Sequence, residues 1–343
     1  FVKSSYTTSI VTLYNSKSPY SVSPSVKILS LNLTKLSEAK SFVSKIYYFF
    51  KRISSIANYF KNKDDIIIVL SSDVLNATVV ISKLLYNLNN KIILSCRSNP
   101  LLARRAIERK CIYFFYKFGD RVVVQSNYIK NYLSKTINSK KLVLINNPST
   151  IYYDDNPYIL NENKDIDFLS VGRIHHAKNH IDIVKALDIL SKKIGYNTSL
   201  YIVGRDDGAK KKIDQFLSEK KMLKRNIVFT GERRDLEKIY LNSKILIHYS
   251  KYEGQSNVII ESQSYGIPAI VSNYPAADEV ILNNHNGFIV ESNDPIELAS
   301  KMEILIKNNK LQERLSKRSF EYSRKFHISK IFIQWENLIL SVI

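Results

Sequence analysis

The sequence predicts an α/β protein with two Rossmann-like domains, each a doubly wound parallel sheet. Three observations support this prediction. The chain has 343 residues, which is enough for two domains with separate cores. Short apolar runs alternate with amphipathic stretches of helical spacing, as expected of parallel strands connected by helices. Several runs end in a glycine, among them Gly172, Gly204 and Gly231, at the strand ends where such sheets bind ligands.

We divide the chain into an N-terminal domain over residues 1–148, a linker over 149–164, a C-terminal domain over 165–325 and a final helix over 326–343. The linker is rich in Asn, Asp, Tyr and Pro, which are typical of turns and connections. We expect the final helix to pack back toward the N-terminal domain. The chain begins with Phe1, and we interpret this start as a truncation.

The elements follow from the apolar runs and the spacing between them. In the C-terminal domain we predict strands at Phe168 to Gly172, Leu200 to Gly204, Ile227 to Gly231, Ile245 to Tyr249, Ala269 to Ser272 and Phe288 to Val290. The helices of this domain are expected at about 179–194, 209–222, 235–242 and 257–265, with helical structure from about 294 onward.

The N-terminal domain repeats the alternation less regularly. We predict strands at Ile10 to Tyr14, Ile28 to Leu31, Ile66 to Leu70, Ile92 to Leu94, Val122 to Val124 and Leu142 to Ile145. The helices are expected at about 39–61, 74–88, 100–117 and 127–135.

The charge of the chain is concentrated in its first part. Residues 1–160 carry 23 Lys and Arg against 8 Asp and Glu, whereas residues 161–343 carry 28 against 23. Such a basic field attracts nucleic acid, anionic lipid or phosphorylated substrates. No apolar run approaches the roughly 18 residues that a membrane-spanning helix needs.

Two carboxylates, Glu253 and Glu261, lie eight positions apart around a predicted helix start. A buried strand over 244–250 precedes them, and Ser256 is a favourable N-cap for the helix that follows. The first N–H groups of a helix have no partner within the helix and attract anions. The arrangement therefore predicts a phosphate site with one carboxylate before the helix and one more than a turn inside it.

Together these residues resemble the GT-B glycosyltransferases of the retaining family 4 type, over nearly the whole chain. GT-B enzymes have two Rossmann-like domains that face each other across a cleft. The resemblance is carried by five groups of residues in a matching order and spacing. They are Val171-Gly172-Arg173 with Lys178, Ile202-Val203-Gly204, Val228-Phe229-Thr230-Gly231, the two glutamates, and Gly266-Ile267-Pro268 through Ser272 with Asn286-Gly287-Phe288.

The resemblance implies a role for each matching residue. Arg173 and Lys178 would bind the donor diphosphate and stabilise the departing nucleoside diphosphate, which suits fixed cations. Glu253 would contact the transferred sugar, and these three are the implied catalytic residues. The remaining donor-binding residues are Gly172 and Gly231, the loop residues Gly254, Gln255, Ser256 and Asn257, and Glu261, which would hold the ribose hydroxyls.

The resemblance also implies a retaining transfer without a metal or other cofactor. The donor substrate would be a nucleoside-diphosphate sugar; UDP and GDP both stay open, and we prefer UDP. The motif Asp165-Ile166-Asp167 is a cation-binding pattern in a different glycosyltransferase architecture, but here it precedes a strand. We interpret it as polarity at the strand start.

Two departures from the family concern the N-terminal domain. Members open with a strand and a glycine-rich loop, whereas the first recognisable segment here, Ser9 to Tyr14, resembles the second strand, so we expect a central strand to be missing. Many members also have a histidine at the turn that reads Ser95 to Pro100 in this chain. Arg97 in that turn is our candidate for a donor or acceptor contact.

The acceptor is expected to be a glycan or a polyprenyl- or lipid-linked glycan of cell-surface polysaccharide or glycolipid synthesis. Helices 42–61 and 100–117 mix cations with aromatic residues, which is typical of surfaces that contact anionic membranes. We therefore expect a cytoplasmic protein on the inner face of the plasma membrane. Two alternatives remain: an inactive or nonenzymatic GT-B relative, and a basic nucleic-acid-binding protein, although we see no nucleic-acid module.

Overall fold

The structure is a computed structural model that describes residues 7–15, 22–70, 72–97, 106–149, 164–195 and 197–343. The predicted linker lies outside these ranges except for its two end residues, and so do residues 100–105 of the predicted third helix. The chain divides into two compact units. Unit 1 comprises Phe1–Gln125, Ile129–Ile145 and Phe332–Ile343, and unit 2 comprises Ser126–Tyr128 and Asn146–Ile331.

Unit 1 alternates strands and helices. Its elements are β1 (Ser9–Thr12), β2 (Lys27–Ser30), α1 (Phe42–Phe60), β3 (Ile67–Val69), α2 (Asp73–Tyr86), β4 (Ile92–Cys96), α3 (Ala106–Tyr116), β5 (Arg121–Val124), α4 (Asn127–Ser134, which begins in unit 2) and β6 (Leu142–Leu144).

The strands of unit 1 form two parallel sheets. β1 pairs with β2, and a second sheet has the order β3-β4-β5-β6. In the second sheet Ile92, Ile93 and Leu94 are fully buried, because a parallel sheet is covered on both faces. That burial explains why these strands appear in the sequence as continuous apolar runs.

Unit 2 follows the same alternation over more strands. Its elements are β7 (Ile166–Val171), α5 (His180–Ile194), β8 (Leu200–Val203), α6 (Lys210–Leu217), α7 (Lys221–Arg225), β9 (Ile227–Gly231), α8 (Leu236–Leu241), β10 (Ser243–His248), α9 (Asn257–Ser264), β11 (Ala269–Ser272), β12 (Gly287–Val290), α10 (Pro295–Lys307), α11 (Asn309–Ser323) and α12 (Ile328–Leu340, whose later part lies in unit 1).

Six parallel strands form the sheet of unit 2, in the order β12-β11-β10-β7-β8-β9. Neighbouring residues of β7 belong to different cores: Phe168 packs with Ile183 and Ile245, whereas Leu169 packs with Leu246 and Ile259. Successive side chains of a strand point to opposite faces, so the sheet has a hydrophobic layer on each side. Each predicted strand overlaps a strand of the structure, and the predicted α/β class is confirmed.

The predicted helix over 209–222 is wrong in one respect, because the structure divides it into α6 and α7. Leu217 and Leu223 are both buried in the same core. Six residues of a continuous helix turn through about 600°, which would place these two side chains on different faces. The break at Ser218 to Lys220 lets both leucines enter the core.

Two glycines let the turns after β7 and β8 approach each other. A Cβ atom at Gly204 would lie 2.0 Å from the Gly172 carbonyl oxygen, a distance that no side chain can adopt. Gly172 has a φ of +145° and lies against the aliphatic part of Lys178. The glycine endings of these strands therefore have a packing reason, and they bring the turn that carries Lys178 close to the sheet edge.

Candidate active site

The strand order of unit 2 defines one ligand crevice. β7 comes first in the chain, β8 and β9 lie on one side of it, and β10 lies on the other. The connections therefore leave the sheet in opposite directions at β7 and β10, and open α/β sheets bind ligands at such a point, outside the carboxyl ends of the strands. The turn that begins at Gly172 and the loop that begins at Tyr249 line this switch point.

Three side chains meet there, at Glu253. Lys178 Nζ donates a hydrogen bond to Glu253 Oε1, and His248 Nε2 lies 3.0 Å from the same oxygen. Lys178 ends a short 3-10 turn after β7, and His248 is the last residue of β10. The structure thus joins two predicted site residues to a histidine that sequence reasoning missed. We call Lys178, His248 and Glu253 the switch-point cluster.

The cluster contains an ionised carboxylate. Burial raises the pKa of Glu253, but the hydrogen bond from His248 and the charge of Lys178 outweigh burial and lower this pKa to about 2. Burial lowers the pKa of His248, whose side chain is 2% exposed. A neutral His248 that donates from Nε2 matches an acceptor-only carboxylate. Within the described residues Glu253 Oε2 accepts no hydrogen bond, so one carboxylate oxygen is held and the other is available.

The loop after Glu253 leads into α9 through Ser256, the N-cap. Ser256 has the extended backbone of an N-cap, but its hydroxyl makes no capping hydrogen bond. The side chains on either side of it are held by Asn147. Asn147 N donates to Gln255 Oε1 and Asn147 Nδ2 donates to Asn257 Oδ1, both at 2.6 Å. Gly254, which precedes these residues, is buried. No side chain caps the first amides of α9, and such uncapped amides at a helix start favour the binding of an anion.

Arg173 is directed elsewhere. Its Nη1 donates to Asp207 Oδ2 at 2.6 Å, and the two side chains are 59% and 37% exposed. Exposed ion pairs contribute only about 0–1 kcal/mol to stability, so a ligand phosphate can replace Asp207 at small cost. The structure therefore joins Lys178 to the cluster and leaves Arg173 beside it, paired with a carboxylate that sequence reasoning did not select.

Glu261 has a partner of its own within unit 2. Tyr240 Oη donates to Glu261 Oε2 at 2.9 Å, and the Tyr240 ring stacks on Tyr265 with a centroid separation of 5.3 Å. Burial raises the pKa of Glu261, and the Tyr240 hydrogen bond opposes that rise. Gly231 ends β9, where its carbonyl oxygen accepts from Gly204 N at 2.9 Å. Tyr240 was missed because it lies in a predicted helix with no motif around it.

Arg97 lies in unit 1, directly after β4. It is exposed, and its Nη1 lies 3.5 Å from the Leu70 carbonyl oxygen. A buried polar group lies at the same end of this sheet: Asp73 is 5% exposed, and Tyr116 Oη donates to its Oδ1 at 2.7 Å. Asp73 follows a predicted strand, which was the one available signal for this group.

Asp167, in the acidic motif at the start of β7, has hydrogen-bond and ion-pair partners within unit 2. Asp167 Oδ1 pairs with Lys244 Nζ at 2.7 Å, and Asp167 Oδ2 accepts from Ser199 N at 2.9 Å. Asp167 therefore ties neighbouring strands together near their amino ends, opposite the edge that carries the switch-point cluster.

Comparison with known proteins identifies the fold of the chain. Sucrose-phosphate synthase of Thermosynechococcus elongatus superimposes with a TM-score of 0.78 at 18% identity, covering 98% of this chain and 89% of that one. HepE of Anabaena, solved with UDP and glucose, superimposes with a TM-score of 0.75 at 14% identity, covering 92% and 86%. These likenesses show the GT-B fold that the sequence predicted.

Sequence comparison supports a glycosyltransferase family. Residues 154–322 match the family described as glycosyl transferases group 1. A curated relative from Campylobacter jejuni is 27% identical over 336 residues, covering 97% of this chain and 90% of its own length. It is the GalNAc-α-(1→4)-GalNAc-α-(1→3)-diNAcBac-PP-undecaprenol α-1,4-N-acetyl-D-galactosaminyltransferase. These matches support the predicted GT-B glycosyltransferase of the family 4 type and favour the glycosyltransferase prediction over both alternatives.

Proposed function

We propose that the chain transfers a sugar, with retention of configuration, from a UDP-sugar to a glycan or lipid-linked glycan of cell-surface synthesis. The observation that carries the proposal is the switch-point cluster beside the uncapped start of α9. The name of the Campylobacter relative supports an undecaprenyl-diphosphate-linked acceptor, and the UDP in HepE supports the donor base.

The donor diphosphate would lie against the start of α9. Its amides would donate to the phosphate oxygens, with Lys178 on one side of the group. Arg173 would exchange Asp207 for the same phosphates. As the sugar leaves, negative charge grows on the diphosphate, and cations and amides that are already in place stabilise it without reorganisation.

Glu253 would bind the transferred sugar through Oε2. Its Oε1 is held by Lys178 and His248, so the carboxylate presents one oxygen in a fixed direction. His248 acts through Glu253, and we assign it as a positioning residue. Glu261, held through one oxygen by Tyr240, would accept from the ribose hydroxyls with the other, and Gly231 would border the base.

Retention needs no protein nucleophile in this proposal. The acceptor hydroxyl attacks the anomeric carbon on the face from which the diphosphate departs, its proton passes to a phosphate oxygen, and the sugar–phosphate bond breaks. The charge that a metal would otherwise neutralise is met by Lys178, Arg173 and the α9 amides, so the proposal contains no metal. Arg97 is proposed as a donor or acceptor contact from unit 1.

The base preference can be tested by ligand-dependent stability. We expect UDP to raise the unfolding temperature, since a ligand at about 100 times its Kd adds roughly 2.7 kcal/mol to the free energy of unfolding. GDP and ADP at equal concentration should raise it much less. A thermal-shift series with the three nucleotides measures this directly. Stabilisation by GDP alone would contradict the UDP assignment, and no stabilisation by any of them would contradict the donor site.

The acceptor proposal places unit 1 on an anionic membrane at the inner face of the plasma membrane. The first turns of α1 expose Phe42, Tyr47 and Phe50 by 77%, 59% and 57%; Lys45 lies among them and Lys51 directly follows them. An exposed apolar stripe with interspersed cations is typical of helices that lie in a membrane surface. Within the described part of the chain no helix combines the length and apolarity that a bilayer span requires.

Vesicle binding tests this surface. The protein is expected to sediment with vesicles that contain anionic lipid, and replacement of Phe42 and Phe50 by serine should reduce the bound fraction severalfold. Binding should also weaken as salt rises, because the lysines contribute through screened charges. Ile296→Ser, on the exposed face of α10, is the matched control because Ile296 is 69% exposed in unit 2. Equal losses in the two variants would reject α1 as the membrane surface.

A further inference from the structure

Asn147 holds the loop that leads into α9 from a distant part of the chain. It lies 110 residues before Asn257, to whose Oδ1 its Nδ2 donates at 2.6 Å. Its backbone N donates to Gln255 Oε1 at 2.6 Å. Asn147 is 8% exposed and belongs to none of the motifs that carry the resemblance. One residue therefore makes a hydrogen bond to the loop on each side of the N-cap Ser256.

The segment that contains Asn147 is anchored along α9. Two residues later, Ser149 is 2% exposed, and its hydroxyl lies 2.8 Å from that of Ser264, the last residue of α9. Ser149 N also donates to the Phe326 carbonyl oxygen at 2.7 Å. Asn147 and Ser149 thus contact opposite ends of the same helix, so the position of Asn147 does not depend only on the loop that it holds.

The first turn of α9 has backbone amides without partners. Within the described residues, the N–H groups of Asn257, Val258 and Ile259 donate to no protein acceptor. These are the groups that the proposed function assigns to the donor diphosphate. A side-chain oxygen that capped them would compete with the phosphate oxygens for the same donors.

The side chains of Gln255 and Asn257 are the competitors closest in sequence to these amides, apart from Ser256. An asparagine side chain readily accepts from the backbone N–H two residues later, which for Asn257 is the amide of Ile259. In the structure neither side-chain oxygen caps the helix, because Asn147 holds the first through its backbone and the second through its side chain. The amides are therefore left for a ligand.

We propose that Asn147 is a positioning residue for the donor diphosphate, because it keeps the Asn257 side chain from capping the amides that bind the phosphates. The proposal rests on the proposed donor site and adds to it a residue that touches no substrate. The hydrogen bond to Gln255 comes from the backbone of Asn147, so it is retained when the side chain is shortened. Removal of the Asn147 side chain consequently releases Asn257 but not Gln255.

UDP binding by the full-chain Asn147→Ala variant tests this role. Release of Asn257 should raise the Kd for UDP about tenfold, as expected when one charge-assisted hydrogen bond to phosphate is lost. Uridine, which has no phosphate, should bind the variant and the wild-type protein equally. Adding Asn257→Ala removes the released acceptor, so the double variant should bind UDP within about threefold of the Asn257→Ala single variant. Calorimetry measures UDP directly, and competition against UDP measures uridine.

Asn286→Ala is the matched control. Asn286 is also buried in unit 2 and holds a loop: Leu282 N donates to its Oδ1 at 2.7 Å, and its Nδ2 donates to the Val280 carbonyl oxygen at 3.3 Å. Its replacement should lower the unfolding temperature and leave the Kd for UDP unchanged. Asn147→Ser, whose side chain is too short to reach Asn257, should repeat the loss seen with Asn147→Ala.

Three results would overturn the proposal: wild-type affinity for UDP in Asn147→Ala, an equal loss of UDP and uridine binding, or no recovery in the double variant. Each of them leaves the proposed sugar transfer standing, because UDP still binds the wild-type protein. Failure of the wild-type protein to bind UDP would instead contradict the donor site itself, and with it this role of Asn147.

Discussion

The Glu253→Gln variant is expected to lower kcat by about a hundredfold or more. The substitution keeps the size of the side chain but removes the charge that Lys178 and His248 hold in place. It also replaces one acceptor oxygen by an NH₂ group, so the side chain no longer accepts from both sides. Loss of one preorganised polar contact to a reacting centre typically costs 10²–10³ in kcat. Steady-state transfer from a UDP-sugar measures the effect, and UDP binding should change only a few fold.

The matched control for this variant is Glu303→Gln. Glu303 on α10 is also a carboxylate between two lysines, with Lys193 Nζ at 2.5 Å and Lys307 Nζ at 2.9 Å, but it lies away from the switch point. Its replacement should leave kcat unchanged. If both variants reduced transfer equally, or if Glu253→Gln retained wild-type kcat, Glu253 would have no specific part in catalysis.

The Lys178→Ala variant is expected to lower kcat by a similar factor, for a different reason. Lys178 is the cation that the structure places beside Glu253 and the start of α9, where charge would develop on the leaving diphosphate. Its removal should therefore slow substrates with poor leaving groups most. Comparing the loss of kcat with a UDP-sugar and with an activated aryl glycoside measures this, since the aryl leaving group carries no diphosphate charge. Lys193→Ala, which breaks the Glu303 pair, is the control and should slow neither donor.

A uniform loss with both donors would contradict a role of Lys178 on the leaving group. It would assign Lys178 instead to holding Glu253, with which it forms a largely buried ion pair. Folding of each variant can be followed by thermal unfolding. Removal of one partner from a buried pair is destabilising, so a lower unfolding temperature with native far-UV dichroism is compatible with the catalytic interpretation.

The sequence predicts the sheets well because parallel strands are buried on both faces. Continuous apolar runs such as Ile92-Ile93-Leu94 have few alternatives to a buried strand. In unit 2, Gly172 and Gly204 mark where two of the strands end. The common edge of the strands then brings Lys178 and Glu253 near each other although 75 residues separate them. The division of helix 209–222 was not predictable from spacing alone, because it depends on where Leu217 and Leu223 meet the core.

The partners within the site were less predictable than its position. His248 lies inside an apolar run, where a histidine has no signal until its neighbour across the loop is known. The roles of Tyr240 and Asp207 likewise depend on contacts that only the fold creates: Tyr240 contacts Glu261, and Asp207 contacts Arg173. Spacing thus indicates which edge carries the site, while hydrogen-bond partners depend on side-chain packing between separate elements.

The most direct test of the switch-point cluster as one catalytic unit is a double-mutant cycle on kcat with Glu253→Gln, Lys178→Ala and the combined variant. Residues that act on the same transition state through one hydrogen-bonded group show strongly non-additive effects. We predict that the double variant transfers sugar within about threefold of the slower single variant. Effects that multiply across the two sites, or transfer at the wild-type rate in either single variant, would contradict this account.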